Sequence, residues 1–246
     1  MGRADLHVHT SEGDGLDSTE AVLKFAEHTP LDVVAITEHD DLVTGLRARE
    51  NAIRRGVRIE VVPGVEITTL DGHLVALFVE EPVPSFRGVE ETIEAVHRQG
   101  GLCFAPHPMT WLTRSLSARK LTALARGSAA LDAIEAANCG PAARWGVRRV
   151  RRLNSERLHL PEVGASDAHF KQAIGSAYTE FEGTTAADLR TALAAGRVRG
   201  VEAGYPRLRD VGLLRTLSLP ITGLRATPKK MGWRRTAWSF VERYAP

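Results

Sequence analysis

The sequence predicts an α/β protein built on a parallel sheet, and three observations carry that expectation. Short runs rich in β-formers alternate with helical patterns, the arrangement that βα units impose. The length, 246 residues, suits one α/β barrel, a fold that commonly takes about 250 residues as a single unit. No fixed-period repeat, low-complexity tract or interdomain linker divides the chain.

Taken in order, the expected strands are ADLHVH, LDVVAIT, RIEVVPGVEIT, HLVALFV, GLCFAP, LDAIEAAN, PEVGAS and GSAYTEF. Between them, Ser18 is placed to cap the helix STEAVLKFAEHT. GVEETIEAVHRQGG ends in a glycine stop signal, and TTAADLRTALAAG has the same polar opening and glycine ending. Gly204-Tyr205-Pro206 marks a boundary, and the segment beyond it is too short for a second core. The expectation is one barrel domain over residues 1–205, with a short basic extension over 206–246 packing on or trailing it.

Composition excludes several classes. Hydrophobic residues at 43% and charged residues at 25% sit near globular averages, so disordered and fibrous chains drop out. No apolar run approaches the roughly 18 residues that span a bilayer, and MGRADLHVHT lacks an apolar signal region. A cytoplasmic protein with no membrane partner is expected. Cys103 and Cys139 cannot make a disulfide framework and lie outside any CxxC spacing, so both read as core thiols.

The net charge of +2 divides unevenly. Residues 206–246 carry nine Lys or Arg against Asp210 and Glu242, a net +7 that leaves the rest at −5. Segment 144–157, RWGVRRVRRLNSER, adds six Arg against one Glu, with Val147, Val150 and Leu153 at helical spacing. It reads as an amphipathic helix whose arginines form either a patch facing nucleic acid or phosphate, or a solvated face.

The stretch DLHVHTSEGDG carries the chemistry. Side chains alternate across a strand, so Asp5, His7 and His9 are expected on one face, with Leu6 and Val8 on the other. Ligand-type residues then recur at strand ends: His39 in ITEHD, Glu66 in PGVEI, His73 opening HLVALF, His107 in APHP, and Asp167 and His169 in ASDAH. Six of the nine histidines fall in these places, whereas His28, His97 and His159 lie in helical or loop contexts and read as surface or packing residues. In a β/α barrel the strand ends converge on one face, so scattered donors become one cluster. Imidazole and carboxylate donors without thiolates suit zinc, manganese or iron. With Asp14 the candidates number nine, enough for two or three ions sharing a bridging carboxylate, for which Glu66 is the choice.

Through DLHVHTSEGDG, ITEHD, PGVEI, HLVALF, APHP and GASDAH the chain resembles the PHP (polymerase and histidinol phosphatase) metal-dependent phosphoesterases over roughly residues 4–200. The resemblance implies a distorted (β/α)7 TIM-like barrel, a three-metal site and phosphoester hydrolysis. It assigns His7, His9, Glu66 and Asp167 to one metal, Glu66, His73 and His107 to a second, and Asp14, His39 and His169 to a third. Some relatives carry histidine where Asp14 stands, and the seven-residue spacing from Glu66 to His73 varies among them.

The reaction expected is in-line attack on phosphorus by a hydroxide held between metals. Glu66, His39 and Asp40 form the candidate catalytic set, with Asp40 as the proton donor to the leaving oxygen; Glu38, Asp40 and Asp5 are candidates to orient the imidazoles. Arg114 is the candidate phosphate clamp, Asn138 a candidate substrate contact at the rim, and Trp111 either a base-stacking surface or the cover of a core edge. The expected substrates are a phosphorylated small molecule, a nucleotide or an oligonucleotide 5′ end, with segments 144–157 and 206–246 favouring nucleic acid. Two alternatives stand beside this reading: a metal-stabilised docking or regulatory module without activity, and an amidohydrolase-type site bridged by a carboxylated lysine, for which only Lys24, Lys120, Lys171, Lys229 and Lys230 are on offer.

Overall fold

The structure is a computed structural model describing residues 1–212 together with Arg215, Leu217, Ser218 and Thr222. The arrangement of most of the 206–246 extension lies outside the described residues. Nine strands form: β1 (Gly2–Val8), β2 (Val33–Ile36), β3 (Glu60–Thr68), β4 (His73–Leu77), β5 (Leu102–Ala105), β6 (Ala133–Ala137), β7 (Glu162–Gly164), β8 (Ala177–Phe181) and β9 (Val198–Glu202). They make one sheet in the order β7-β6-β5-β4-β3-β2-β1-β8-β9. The first eight match the expected strands; β9 is an addition.

The sheet curls until its ends nearly meet. Beyond β7 the chain pairs with β1 through a parallel bridge between Val8 and Ala168, where the His9 N–H donates to the Ala168 carbonyl at 2.9 Å. Lower down, Thr179 on β8 accepts from the Gly164 N–H at 3.0 Å and donates back to the Gly164 carbonyl at 2.8 Å. Gly164 permits this approach, because a Cβ there would lie 2.3 Å from the Tyr178 carbonyl oxygen. Strands β1 to β7 therefore wrap as a nearly closed, distorted barrel.

The sheet is mixed, which corrects the expectation of a parallel one. Strand β4 runs antiparallel to both β3 and β5, because only residues 69–72 separate β3 from β4, and a parallel crossover needs about a dozen residues. Thr69 and Gly72 close that turn through N–H to carbonyl bonding at 3.1 Å. Reversal brings the first residue of β4, His73, to the barrel end where the last residues of β3 lie.

Strict alternation along β1 also fails. Its register against β2 slips between Asp5 and Val8, placing three steps of β1 against two of β2, the geometry of a bulge. Ala4 and Leu6 consequently pack in a cluster that draws Val33, Val62, Val75, Phe104, Ala133 and Val163 from around the barrel, which is its interior. Val8 instead packs outside with Val22, Leu23 and Ile36. The extra residue lets His7 face inward beside Leu6.

Helices cover the outside. α1 (Thr19–Ala26) begins at the Ser18 cap as expected and, with α2 (Val43–Arg55), covers β1 and β2. α3 (Val89–Arg98), α4 (Ala118–Leu124) and α5 (Val147–Leu153) bury Ile93, Leu121 and Val150 against the outer face of β3 to β6. α6 (Ala186–Ala194) is fixed by a capping box between Thr185 and Asp188, and its Leu189 and Leu193 join the interior cluster. A short α7 (Leu208–Val211) follows β9. Among the described residues no helix is long and apolar enough to cross a membrane.

Candidate metal centre

All nine residues expected to bind metal meet at the barrel end formed by the C-termini of β1, β2 and β3 and the N-terminus of β4. Around Glu66, four donor atoms lie near one another: His7 Nε2 and His9 Nε2 are 3.0 Å apart, each 3.3 Å from Glu66 Oε2, and 3.6 and 3.4 Å from Asp167 Oδ1. Ligands held about 2.0–2.2 Å from one tetrahedral ion are separated by roughly 3.3–3.6 Å. The observed spacings, though one is shorter, are those of donors arranged around a common centre.

The other oxygen of Glu66 serves a different pair. Oε1 lies 2.6 Å from His73 Nδ1 and 3.0 Å from His107 Nε2. A further group gathers at Asp14, whose Oδ2 is 3.2 Å from His169 Nε2 and 3.6 Å from His39 Nε2. His39 links the groups, since its Nδ1 is 3.1 Å from Glu66 Oε2. The donor sets match the residues present to divalent ions: three carboxylates and six imidazoles, no thiolate, and burial that leaves His7 and Glu66 at most 1% exposed.

Electrostatics give the same picture. Burial alone would raise the Glu66 carboxyl, but His39, His73 and His7 hold it well below the usual carboxylate range. Burial is likewise overcome at Asp167 by His7, His9 and His169, and at Asp14 by His169, His9 and His39, so both stay ionised. Conversely, burial disfavours a charged His7, yet Asp167 and Glu66 outweigh it and lift the imidazole to about 10. His9 is raised well above its ordinary value against the same burial, through Asp167, Glu38 and Glu66. The cluster thus demands positive charge at its centre, which protons supply in the metal-free chain and divalent cations would supply directly.

Supporting residues fix the imidazoles. Glu38 accepts from the Thr10 N–H at 2.7 Å with Oε1, while Oε2 faces His9 Nδ1 at 3.7 Å. Gly13 in the TSEGDG loop lies so close that a Cβ would fall on that Glu38 oxygen. Sequence reasoning missed Glu135, buried on β6 at a second register slip. Its Oε1 accepts from the His107 N–H at 2.9 Å and its Oε2 faces His7 Nδ1 at 3.9 Å. The signal was a carboxylate inside the apolar run LDAIEAAN, which a buried strand tolerates only with partners. Glu135→Gln is expected to lower turnover by about 10- to 100-fold with the fold retained, the usual cost of losing a partner behind a ligand; steady-state kinetics beside circular dichroism would check it.

Other expected residues fall differently. Asp5 accepts backbone N–H groups from Ser166 at 3.0 Å and Gly175 at 2.8 Å, so it ties down the Asp167 loop and orients no imidazole. Asp40 accepts from the Thr68 N–H at 2.8 Å and holds the end of β3 two residues beyond Glu66. Asn138 does not reach the rim: its amide donates to Glu135 at 2.8 Å and its oxygen accepts from the Gly140 N–H at 2.7 Å. Arg114 does reach it, with one guanidinium nitrogen donating to the Thr69 carbonyl at 2.9 Å beside the metal pocket. Trp111 covers no core edge, being 84% exposed. Asp40, His107 and Asp167 all adopt positive φ, at 54°, 31° and 51°, conformations that cost on the order of 1–3 kcal/mol and concentrate at functional sites. His97 and His28 lie exposed, as expected, on Asp132 and the Lys24 carbonyl.

A seven-stranded barrel whose open end gathers imidazoles and carboxylates around shared centres defines a metal-dependent hydrolase class. A family model described as PHP-associated matches residues 148–198. An uncharacterized protein of Methanocaldococcus jannaschii is 34% identical over 128 residues, 48% of this chain and 74% of that one. The chain therefore belongs to the PHP family of metal-dependent phosphoesterases. It is also 36% identical over 87 residues to a 5′-3′ exoribonuclease of Salmonella typhimurium, a match covering 34% of this chain but only 30% of that enzyme. Its fold is similar to part of a two-domain Bacteroides vulgatus protein described as containing a predicted PHP-like metal-dependent phosphoesterase, with a TM-score of 0.64 and 21% identity over 81% of this chain and 64% of that one.

Proposed function

We propose that the chain hydrolyses a phosphate ester carried by a nucleotide or the 5′ end of an oligonucleotide, using two or three divalent ions of manganese, zinc or iron. The observation that carries this reading is the division of Glu66: one oxygen faces His7 and His9, the other His73 and His107, so that this one carboxylate would serve two neighbouring donor groups if ions were bound. Bound there, the ions would supply Lewis acidity and lower the pKa of a coordinated water toward neutrality. The chain's own part is to position them, with Glu38 and Glu135 behind the imidazoles, and to receive phosphate oxygens at Arg114 on the rim. His39 stands between the Asp14 and Glu66 groups and sets their separation. Asp40 positions the end of β3 through the Thr68 N–H.

The nucleotide preference is supported by α5, whose Arg148, Arg149 and Arg152 point to solvent around a buried Val147 and Val150, and by the exoribonuclease relative. None of Lys24, Lys120 and Lys171 lines the metal pocket; Lys120 pairs with Asp71 at 2.9 Å. A carboxylated-lysine bridge therefore has no residue to form it among those described. The test is hydrolysis of a phosphomonoester, a phosphodiester and a 5′-phosphorylated oligonucleotide under added manganese. Turnover of at least one is expected; a fully metal-loaded protein inert toward all three would favour a docking module instead.

A further inference from the structure

Next to the metal pocket lies a second groove that the reaction does not use. The metal pocket, about 480 Å³, is walled on one side by Trp111, Leu112 and Arg114. Trp111 and Leu112 also wall a groove of about 300 Å³ that runs on to Trp145 and Arg149. Both tryptophans are largely bare, Trp111 at 84% and Trp145 at 72% exposed. Neither is placed to stabilise the core, since tryptophan contributes by burying its ring. Around them stand exposed arginines: Arg114 at the pocket mouth, Arg149 in the groove, and Arg144, whose guanidinium lies 5.3 Å over the Trp145 ring.

We propose that Trp111 and Trp145 form a base-stacking track leading out of the metal centre, on which the first two bases of a single-stranded, 5′-phosphorylated oligonucleotide lie. This rests on the phosphoesterase reading and extends it to a substrate class. Aromatic faces interleaved with arginines along a groove bind single strands irrespective of sequence, because every base offers a π-face and the backbone offers phosphates. Trp111 belongs to the walls of both cavities and Trp145 to the groove alone, so a strand entering at the metal pocket would meet Trp111 first and Trp145 after it. A flat apolar partner surface would leave the arginines without counter-charges; a nucleic acid strand supplies both groups.

The experiment compares ribose 5-phosphate, a 5′-mononucleotide and a 5′-phosphorylated dinucleotide as substrates of the manganese-loaded enzyme, its Trp111→Ala and Trp145→Ala variants, and the Trp→Phe replacements. Trp111→Ala should raise KM about tenfold for both nucleotides and Trp145→Ala about tenfold for the dinucleotide alone. Trp145→Ala should leave turnover of ribose 5-phosphate and the mononucleotide unchanged, and phenylalanine should restore most of the loss at either position. Equal losses on ribose 5-phosphate, or none on the dinucleotide, would overturn the track. Binding of a phosphorothioate-linked trinucleotide, read by anisotropy of a 3′ label, separates this proposal from the one it rests on. If the wild type binds and the alanine variants do not, the track stands even where no phosphoester is turned over. If all bind alike while hydrolysis is normal, the track fails and the phosphoesterase reading survives. Loss of self-association in the variants without change in oligonucleotide binding would instead assign the patch to contacts between copies, and overturn the proposal.

Discussion

Glu66→Gln is expected to abolish phosphoester hydrolysis and to strip metal from more than one position while the barrel stays folded. A carboxylate offers acceptor lone pairs on both oxygens, and here both are engaged: Oε1 at 2.6 Å from His73 and 3.0 Å from His107, Oε2 at 3.1 to 3.3 Å from His39, His7 and His9. Glutamine keeps the shape but gives up the charge and turns one oxygen into a donor, so it cannot serve two groups. The loss should far exceed the roughly 10- to 100-fold cost of removing a partner behind a ligand. Metal stoichiometry, kinetics and thermal unfolding on the same preparation would check it. His9→Ala should behave alike, because its Nε2 lies in the His7–Glu66–Asp167 group and its ring reaches toward Asp14. Near-normal turnover in either variant would contradict the arrangement.

The second large effect concerns metal removal and pH. In the metal-free chain His7 is raised to about 10 by Asp167 and Glu66 in spite of burial. Its folded value thus exceeds the unfolded one of about 6.5, and the stability it contributes is fully present below pH 6.5 and lost as pH rises through 10. Asp5, which burial pushes up to about 6 against its backbone hydrogen bonds, acts in the same direction: its contribution, present below its unfolded value near 4, is lost as pH rises through 6. The chelated protein should therefore lose Tm steadily between about pH 5 and 10. The metal-loaded protein, in which cations replace the imidazole protons, should hold its Tm over the upper part of that range and should release protons on loading. Calorimetric scans with and without chelator, with proton release followed in weak buffer, would show both. A flat profile for the metal-free protein would contradict the charge balance described.

Much of this site was legible because the ligands sit at strand ends, where the chain must turn and polar residues beside apolar ones need a reason to be there. His7, His9, Glu66, His107 and Asp167 stood out that way. His73 was legible as a donor but not its direction: the short Asp71-Gly72 turn meant a reversed strand, and that reversal carries His73 to the site. The bulge in β1 was invisible, since Leu6 and Val8 alternate with His7 in the sequence and only the pairing with β2 reveals that Leu6 turns inward. Glu135 was hidden inside an apolar strand. Helix α2 was hard to read because its buried face is made of Thr44, Gly45, Ala48 and Ala52, too small and weakly apolar to give a periodic signal. Strand β9, VRGVE, lies at the sheet edge and alternates poorly.

The measurement that bears most directly on the central claim is the metal content of the purified protein by elemental analysis, read together with that of Glu66→Gln. Two or three divalent ions per chain, falling together in the variant, is the result predicted by a bridging carboxylate between neighbouring donor groups. One ion or none in the wild type, or a variant that retains the full complement, would contradict it.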